Sequence, residues 1–143
     1  MASYKKILVL LDLSNASEQI AVAARDMAAH SNAALVVLHV VEFVPSEPMG
    51  ETLMPTMQIE EELAQRAGLK IKELCASLGL TRAAARVETG NKKTEILRVA
   101  KEEAVDLIVL GSRVRHGLGI LVNFTEDTVL HAAHCDVLAV RLT

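Results

Sequence analysis

Ile7 to Asp12, reading ILVLLD, decides the fold. Five apolar residues in unbroken succession are too few for a helix. They also lack the polar alternation of a strand with one wet face. Such a run suits a strand covered on both faces, as in a parallel sheet wrapped by helices. Asp12 stops the run. Ser14 or Asn15 is placed to cap a following helix, with Glu18 in its first turn. Ile20, Ala23, Ala24, Met27 and Ala28 then recur at helical spacing, and Asn32 ends the pattern.

The alternation continues along the chain. Ala34 to Val41, reading ALVVLHVV, is a second buried strand. All three prolines follow within Phe43 to Met57, so that stretch reads as a loop. At about fifteen residues it is long for a connection. Gln58 to Leu78 is a helix with Ile59, Leu63, Ala67, Ile71, Leu74 and Leu78 on one stripe. Ala84 to Thr89 is a more polar strand suited to a sheet edge, and Thr94 to Ala104 is a helix with Ile96, Leu97 and Ala100 inward. Leu107 to Leu110 is a buried strand, Phe124 to His134 a helix, and Val137 to Leu142 a last strand. The pattern predicts one α/β domain over residues 1–143: a five-stranded, mainly parallel sheet with helices on both faces. Right-handed crossovers favour the strand order 3-2-1-4-5.

Composition narrows the function. The 143 residues are 51% apolar but only 2% aromatic, without Trp, so the core is aliphatic. Tyr4, Phe43 and Phe124 make no stacking platform for bases, and a net charge of −3 makes no field for a nucleic-acid backbone. No nucleic-acid partner is expected. Neither is a membrane one, since no segment approaches the ~20 apolar residues of a span. MASYKKILVLLD lacks export architecture, which gives a soluble, cytoplasmic chain as the expectation. Cys75 and Cys135 are too few for a disulfide framework or a four-thiolate zinc site, and are expected to be reduced and mostly buried.

In such a sheet a ligand sits beyond the carboxyl ends of the strands where their order switches. That crevice would be walled by Asp12 to Ser14 and by Gly111 to Arg113. The stretch VLGSRVRHGLGILVNFTED, Val109 to Asp127, begins like a phosphate cradle: an apolar run, a Gly- and Arg-containing turn, then a helix start. Gly111, Ser112, Arg113, Arg115, His116 and Gly117 are the candidate anion-binding residues. Asp12 either coordinates Mg²⁺ or a ribose, or accepts the amides of the next turn.

MASYKKILVLLDLS, VVLHVVE, GNKKTEIL, DLIVLGSRVRHGLG and CDVLAVRL together resemble the universal stress protein family, in its small, single-domain, UspA-like form. The resemblance runs nearly end to end. It implies an adenine-nucleotide-hydrolase-like α/β fold, usually as a homodimer, in which some members bind ATP or AMP. Asp12 matches the acidic residue after the first strand, and Val40 and Val41 match the region lining an adenine pocket. The nucleotide binders share a Gly-x-x-Gly loop closed by Gly-Ser or Gly-Thr. Here the first Gly falls on Gly111, the second on Val114, and the closing pair on Asn123-Phe124. The proline often found after the third strand is Lys92. Val114 brings a branched Cβ where close backbone approach is needed, and Phe124 replaces a hydroxyl donor.

No catalytic constellation frames Ser14, Ser17 or Ser112, and Glu60 to Glu62 read as a solvated helix face. His131, His134 and Cys135 are spaced to share a helix side, but histidines complementing a helix end explain them more simply than a metal. His39 reads as a satisfied core or crevice histidine. The expected function is a dimeric stress-response binding or interaction module, not an enzyme, with a degenerate nucleotide site. It needs no cofactor, and ATP or AMP would be held weakly. The alternative is an adenine-nucleotide binder using Arg113, Arg115 and His116, with a nucleotide-cleaving enzyme of similar fold less favoured. Val137, Leu138, Ala139, Val140, Arg141 and Leu142 would form an apolar sheet edge with no following element to cover it, and pair with a second copy.

Overall fold

The computed structural model describes residues 3–42, 56–80, 82–113 and 125–142. The elements run β1 (Lys6–Leu10), α1 (Ser17–Ser31), β2 (Ala34–Val41), α2 (Thr56–Ser77), β3 (Ala84–Thr89), α3 (Lys92–Glu102), β4 (Leu107–Arg113), α4 (Thr125–Ala132) and β5 (Asp136–Leu142). The sheet has the expected order, β3-β2-β1-β4-β5, and every pairing is parallel.

Register in the central strands explains their unbroken apolar character. Ile7 lies beside Leu35 and Leu107, and Val9 beside Val37 and Val109. Successive side chains leave the sheet on opposite faces. Ile7, Val9, Leu35, Val37 and Val109 therefore meet Ile20, Ala21 and Ala24 of α1 and Ile71 of α2. Leu8, Val36, Leu38, Ile108 and Leu110 meet Ile96 and Val99 of α3 and Val129 of α4. Each aliphatic side chain so covered contributes about 1.5–3 kcal/mol, offset by chain entropy.

The helix ends differ in detail from expectation. The N-cap of α1 is Ala16, whose side chain has no capping bond. Ser14 instead accepts from the Ala16 amide with its Oγ at 3.2 Å, shaping the turn before the helix. Asn32 does end α1, in the left-handed conformation, with its amide donating to Ala28 and Ala29 carbonyls. The third helix starts two residues earlier than its apolar pattern, because Asn91 caps it by accepting from the Thr94 amide at 3.0 Å. Leu63, expected inward, is exposed, since the first half of α2 overhangs the open end of the sheet.

A larger correction concerns Gly111, Ser112 and Arg113. They do not open a turn but continue β4, paired with Val140, Arg141 and Leu142. The physical reason is that β5 runs on to Leu142 and offers them a ladder. Gly111 has a packing role there: a Cβ would lie 2.7 Å from Ile20 Cδ1 and 2.8 Å from Leu142 Cδ1. We expect Gly111→Ala to destabilise the fold by roughly 1–3 kcal/mol in urea unfolding. Ile20→Val, which removes the nearer carbon, should cost less in the Gly111→Ala background than alone. Strictly additive costs would show that the contact is not the cause.

Beside α3 the surface carries an ion-pair network. Arg98 bonds Glu88, Glu95 and Glu102, while Arg86 bonds Glu88, Glu102 and Glu103. Lys6 joins at Glu103, 2.7 Å away. Arg98 holds Glu95 and Glu102 below the ordinary glutamate range, and Lys6 then Arg86 do so for Glu103. Carboxylates with lowered folded-state pKa values stabilise above the unfolded value and lose that effect as pH falls through the folded one. The melting-temperature deficit of Arg98→Ala should therefore be present at neutral pH and shrink as pH drops below the glutamate's ordinary 4.5. A deficit constant down to acid pH would assign Arg98 a packing role instead.

Candidate functional site

Beyond the ends of β1 and β2 the chain builds a crevice. The strand hydrogen bonding persists through Leu11, whose amide donates to the Leu38 carbonyl at 2.9 Å. Leu13 then takes a left-handed backbone, φ 62°, which a branched apolar residue adopts only under local constraint. Asp12 supplies part of that constraint. Its Oδ1 accepts from the Ser14 amide at 2.9 Å and the Ser17 hydroxyl at 3.1 Å. Burial pushes its pKa up, but the hydrogen bonds from Ser14 and Ser17 and the Lys92 charge outweigh this and leave it lowered. Of the two roles open to Asp12 from sequence, the structure shows it accepting turn donors.

His39 sits beside this turn, half-buried on β2. Its Nδ1 lies 2.7 Å from the Leu11 carbonyl oxygen. A carbonyl can only accept, so Nδ1 carries the proton and a neutral ring keeps Nε2 as an acceptor. The histidine is satisfied, as the sequence suggested. The far rim is set by Gly90, whose φ of 147° suits glycine and whose amide donates to the Val41 carbonyl. Asn91 follows as helix cap, and the Lys92 amide donates to Glu42 Oε1 at 3.0 Å.

Between these walls lies a hollow of about 450 Å³ lined by Asp12, Leu13, His39, Val40, Val41 and Glu42. Its other wall is Leu63, Arg66, Ala67 and Lys70 of α2, with Lys92 of α3. The volume is in the range of small-molecule sites. Both acidic groups in the lining already accept protein N–H or O–H groups. Arg66, Lys70 and Lys92 outnumber them, three basic side chains against two acidic ones in the same lining. A second hollow of about 460 Å³ adjoins it across Leu13 and Lys70, with Ser17 and Glu73 in its lining.

The structure thus brings Asp12 and Val40 together, as expected from sequence. Val41 joins them. Gly111 and Ser112 stand in β4, Arg113 contributes backbone to that strand, and Arg115, His116 and Gly117 lie outside the described residues. Val114, Asn123 and Phe124 also fall outside them, as do residues 43–55 of the loop expected over 43–57, whose last two residues open α2. Sequence reasoning missed Arg66 and Lys70. The signal was their i, i+4 spacing, which places both cations on one helix side.

Among the described residues no group of His, Cys, Asp and Glu is arranged to hold a metal, including the helix-end pair His131 and His134 with Cys135. Cys75 and Cys135 are free thiols, each half-buried rather than enclosed, and burial raises both pKa values. Among the described residues no helix is long and apolar enough to cross a membrane.

Universal stress protein A homolog 2 of Coxiella burnetii is 36% identical over 143 residues, covering 99% of this chain and 98% of that protein. The solved structure of universal stress protein UspA from Lactobacillus plantarum superposes with a TM-score of 0.74 at 26% identity, covering 99% of this chain and all of the other. A universal stress protein crystallised in complex with cAMP has the same fold, with a TM-score of 0.66 at 22% identity and coverage of 99% and 100%. The model of the universal stress protein family matches residues 3–141, and the chain belongs to that family.

Proposed function

We propose that this protein is a non-catalytic, dimeric stress-response binding module whose crevice takes an adenine nucleotide weakly or not at all. The observation that carries the reading is the state of the carboxylates at the crevice. Asp12 is held by Ser14 and Ser17, and Glu42 by the Lys92 amide. A carboxylate committed to turn donors is poorly placed as a general base or Mg²⁺ ligand. The phosphate side is weakened as well, because Val114 and Asn123-Phe124 replace the small and hydroxylated residues of the nucleotide-binding loop. Losing one charge-assisted contact costs about 1.5–3 kcal/mol, or about ten- to hundredfold in affinity.

One observation favours a second reading, in which a nucleotide does bind. Arg66, Lys70 and Lys92 line the hollow, and cations there fit a phosphate better than the sequence alone indicated. The family member in complex with cAMP shows that a nucleotide is compatible with this fold. On this reading Arg113, Arg115 and His116 would add to the same charge.

Calorimetric titration with ATP and AMP separates the two. Weak or undetectable heat in the unmodified protein, and tighter ATP binding once Val114→Gly, Asn123→Gly and Phe124→Ser are combined, is the expected result. Submicromolar ATP affinity in the unmodified chain would overturn the degenerate-site reading.

On the proposed reading the dimer interface is the outer edge of β5. That strand ends the sheet order, with Val137, Leu138, Val140 and Leu142 half-buried and Ala139 and Arg141 exposed. Its outer backbone edge suits antiparallel pairing with a second copy around a two-fold axis. Light scattering should give a dimer mass at micromolar concentration, weakened by Val140→Pro through loss of a donor and strand distortion. A monomer throughout that range would refute the dimer, and a dimer indifferent to Val140→Pro would move its interface elsewhere.

A further inference from the structure

At the opposite end of the sheet from the crevice, α3 and α4 part around a hollow of about 440 Å³. Close packing normally leaves few voids larger than a water between elements of one core. The gap here follows from small side chains on both walls: Ala100 and Ala104 from α3 and the following turn, Ala132 and Ala133 from α4 and its end. Ile108 and Val105 lie deeper, and Leu97 extends the apolar wall. Val105 and Ile108 are buried, whereas Leu97, Ala100 and Ala133 are only half-covered, so the hollow opens to solvent.

Among the described residues the charged side chains of the lining, Arg98 and Lys101, are both basic, His134 adds a ring nitrogen donor, and no Asp or Glu is present. Arg98 is committed to Glu88, Glu95 and Glu102. Lys101 and His134 are exposed. Asp106 and Asp136, whose charge reaches the nearby Cys135 thiol, are turned elsewhere: Asp106 accepts the Lys5 and Lys6 amides, and Asp136 accepts the Tyr4 hydroxyl. An apolar trough with a cationic lip is complementary to a molecule with an aliphatic tail and an anionic head.

We propose that this hollow is a binding site for a free straight-chain aliphatic carboxylate. The tail lies between α3 and α4 over Ile108, and the carboxylate meets Lys101 and His134 at the lip. The site is separate from the crevice and does not rest on nucleotide binding there. Cys135 lines the same hollow and reports on it, because a bound tail shields the thiol.

The test uses the full chain carrying Cys75→Ser, which leaves Cys135 as the one thiol. Its rate of reaction with a soluble disulfide reagent is followed against decanoate below its micellar concentration. Saturable slowing of about tenfold is expected, with the half-protecting concentration about tenfold higher for Lys101→Glu. Decyltrimethylammonium should protect far less than decanoate, since the lip repels it. Ala133→Phe, which fills the trough, should abolish decanoate protection. Because that variant could misfold, Lys101→Glu at the exposed lip serves as the independent arm, and circular dichroism checks both. Three results would overturn the proposal: no saturable protection, equal protection by the ammonium compound, or no change on Lys101→Glu. Protection that follows protein concentration without ligand would give the hollow to a second copy and overturn it too. So would protection by anionic phospholipid vesicles in the absence of any effect of decanoate.

Discussion

The central strand has apolar cover on both faces and a hydrogen-bonded neighbour on both edges. Ile7, Leu8 and Val9 are completely buried, and each belongs to the core of one face or the other. A strand in that position has no polar group left to satisfy outside the ladder, so it can move only if the whole sheet moves. The crevice inherits this rigidity. It begins where the covered run ends, at Asp12, and its second wall is the strand paired directly with the first. A loop-borne site would lack such fixed walls.

Acidic residues at strand ends serve the backbone. Asp12 takes turn donors at one end of β1, while Asp106 takes the Lys5 and Lys6 amides at the other. For Asp106, burial raises the pKa, but those amide bonds outweigh it and the net shift is downward. Asp12 closes the turn that follows β1, and Asp106 ties the start of β4 to the start of β1. At the crevice Asp12 and Glu42 face three basic side chains, Arg66 and Lys70 of α2 and Lys92 of α3. A net charge of −3 for the whole chain is therefore no guide to its local field.

Legibility followed the kind of force at work. Two-sided burial is written directly as uninterrupted apolar runs, and the limits of β2 and β3 could be read to the residue. The strand order came from the same runs with the handedness of crossovers. Helix starts were less legible, because capping involves the residue before the apolar pattern begins, as Asn91 and Ser14 show. Gly111 was misread for a different reason. Glycine permits a turn, but it also permits close approach of side chains from elsewhere, and only the positions of Ile20 and Leu142 distinguish these. Arg66 and Lys70 were hidden because α2 reads by its apolar stripe, while their role depends on where the middle of that helix lies. Their i, i+4 spacing shows that they share one side of the helix, but what that side faces is a tertiary fact.

The third helix connects the two ends of the molecule. Its first residue, Lys92, stands at the crevice rim, and its last turn walls the aliphatic hollow. Between them Ile96 and Val99 are fixed in the core, and Arg98 ties the helix to Glu88 on β3. A helix held at its middle by both burial and ion pairs shifts as a body or not at all. Filling one hollow therefore leaves the other unaffected unless the ligand distinguishes two positions of the whole helix. The small residues of this helix end, Ala100 and Ala104, lie beyond Arg98 toward the C-terminus, where Glu102 and Glu103 are tied to Arg86 and Lys6. A ligand there occupies space that the alanines already leave between fixed walls, while Lys92 keeps its place against Glu42. The fold thus permits two binding ends on one rigid sheet without requiring communication between them.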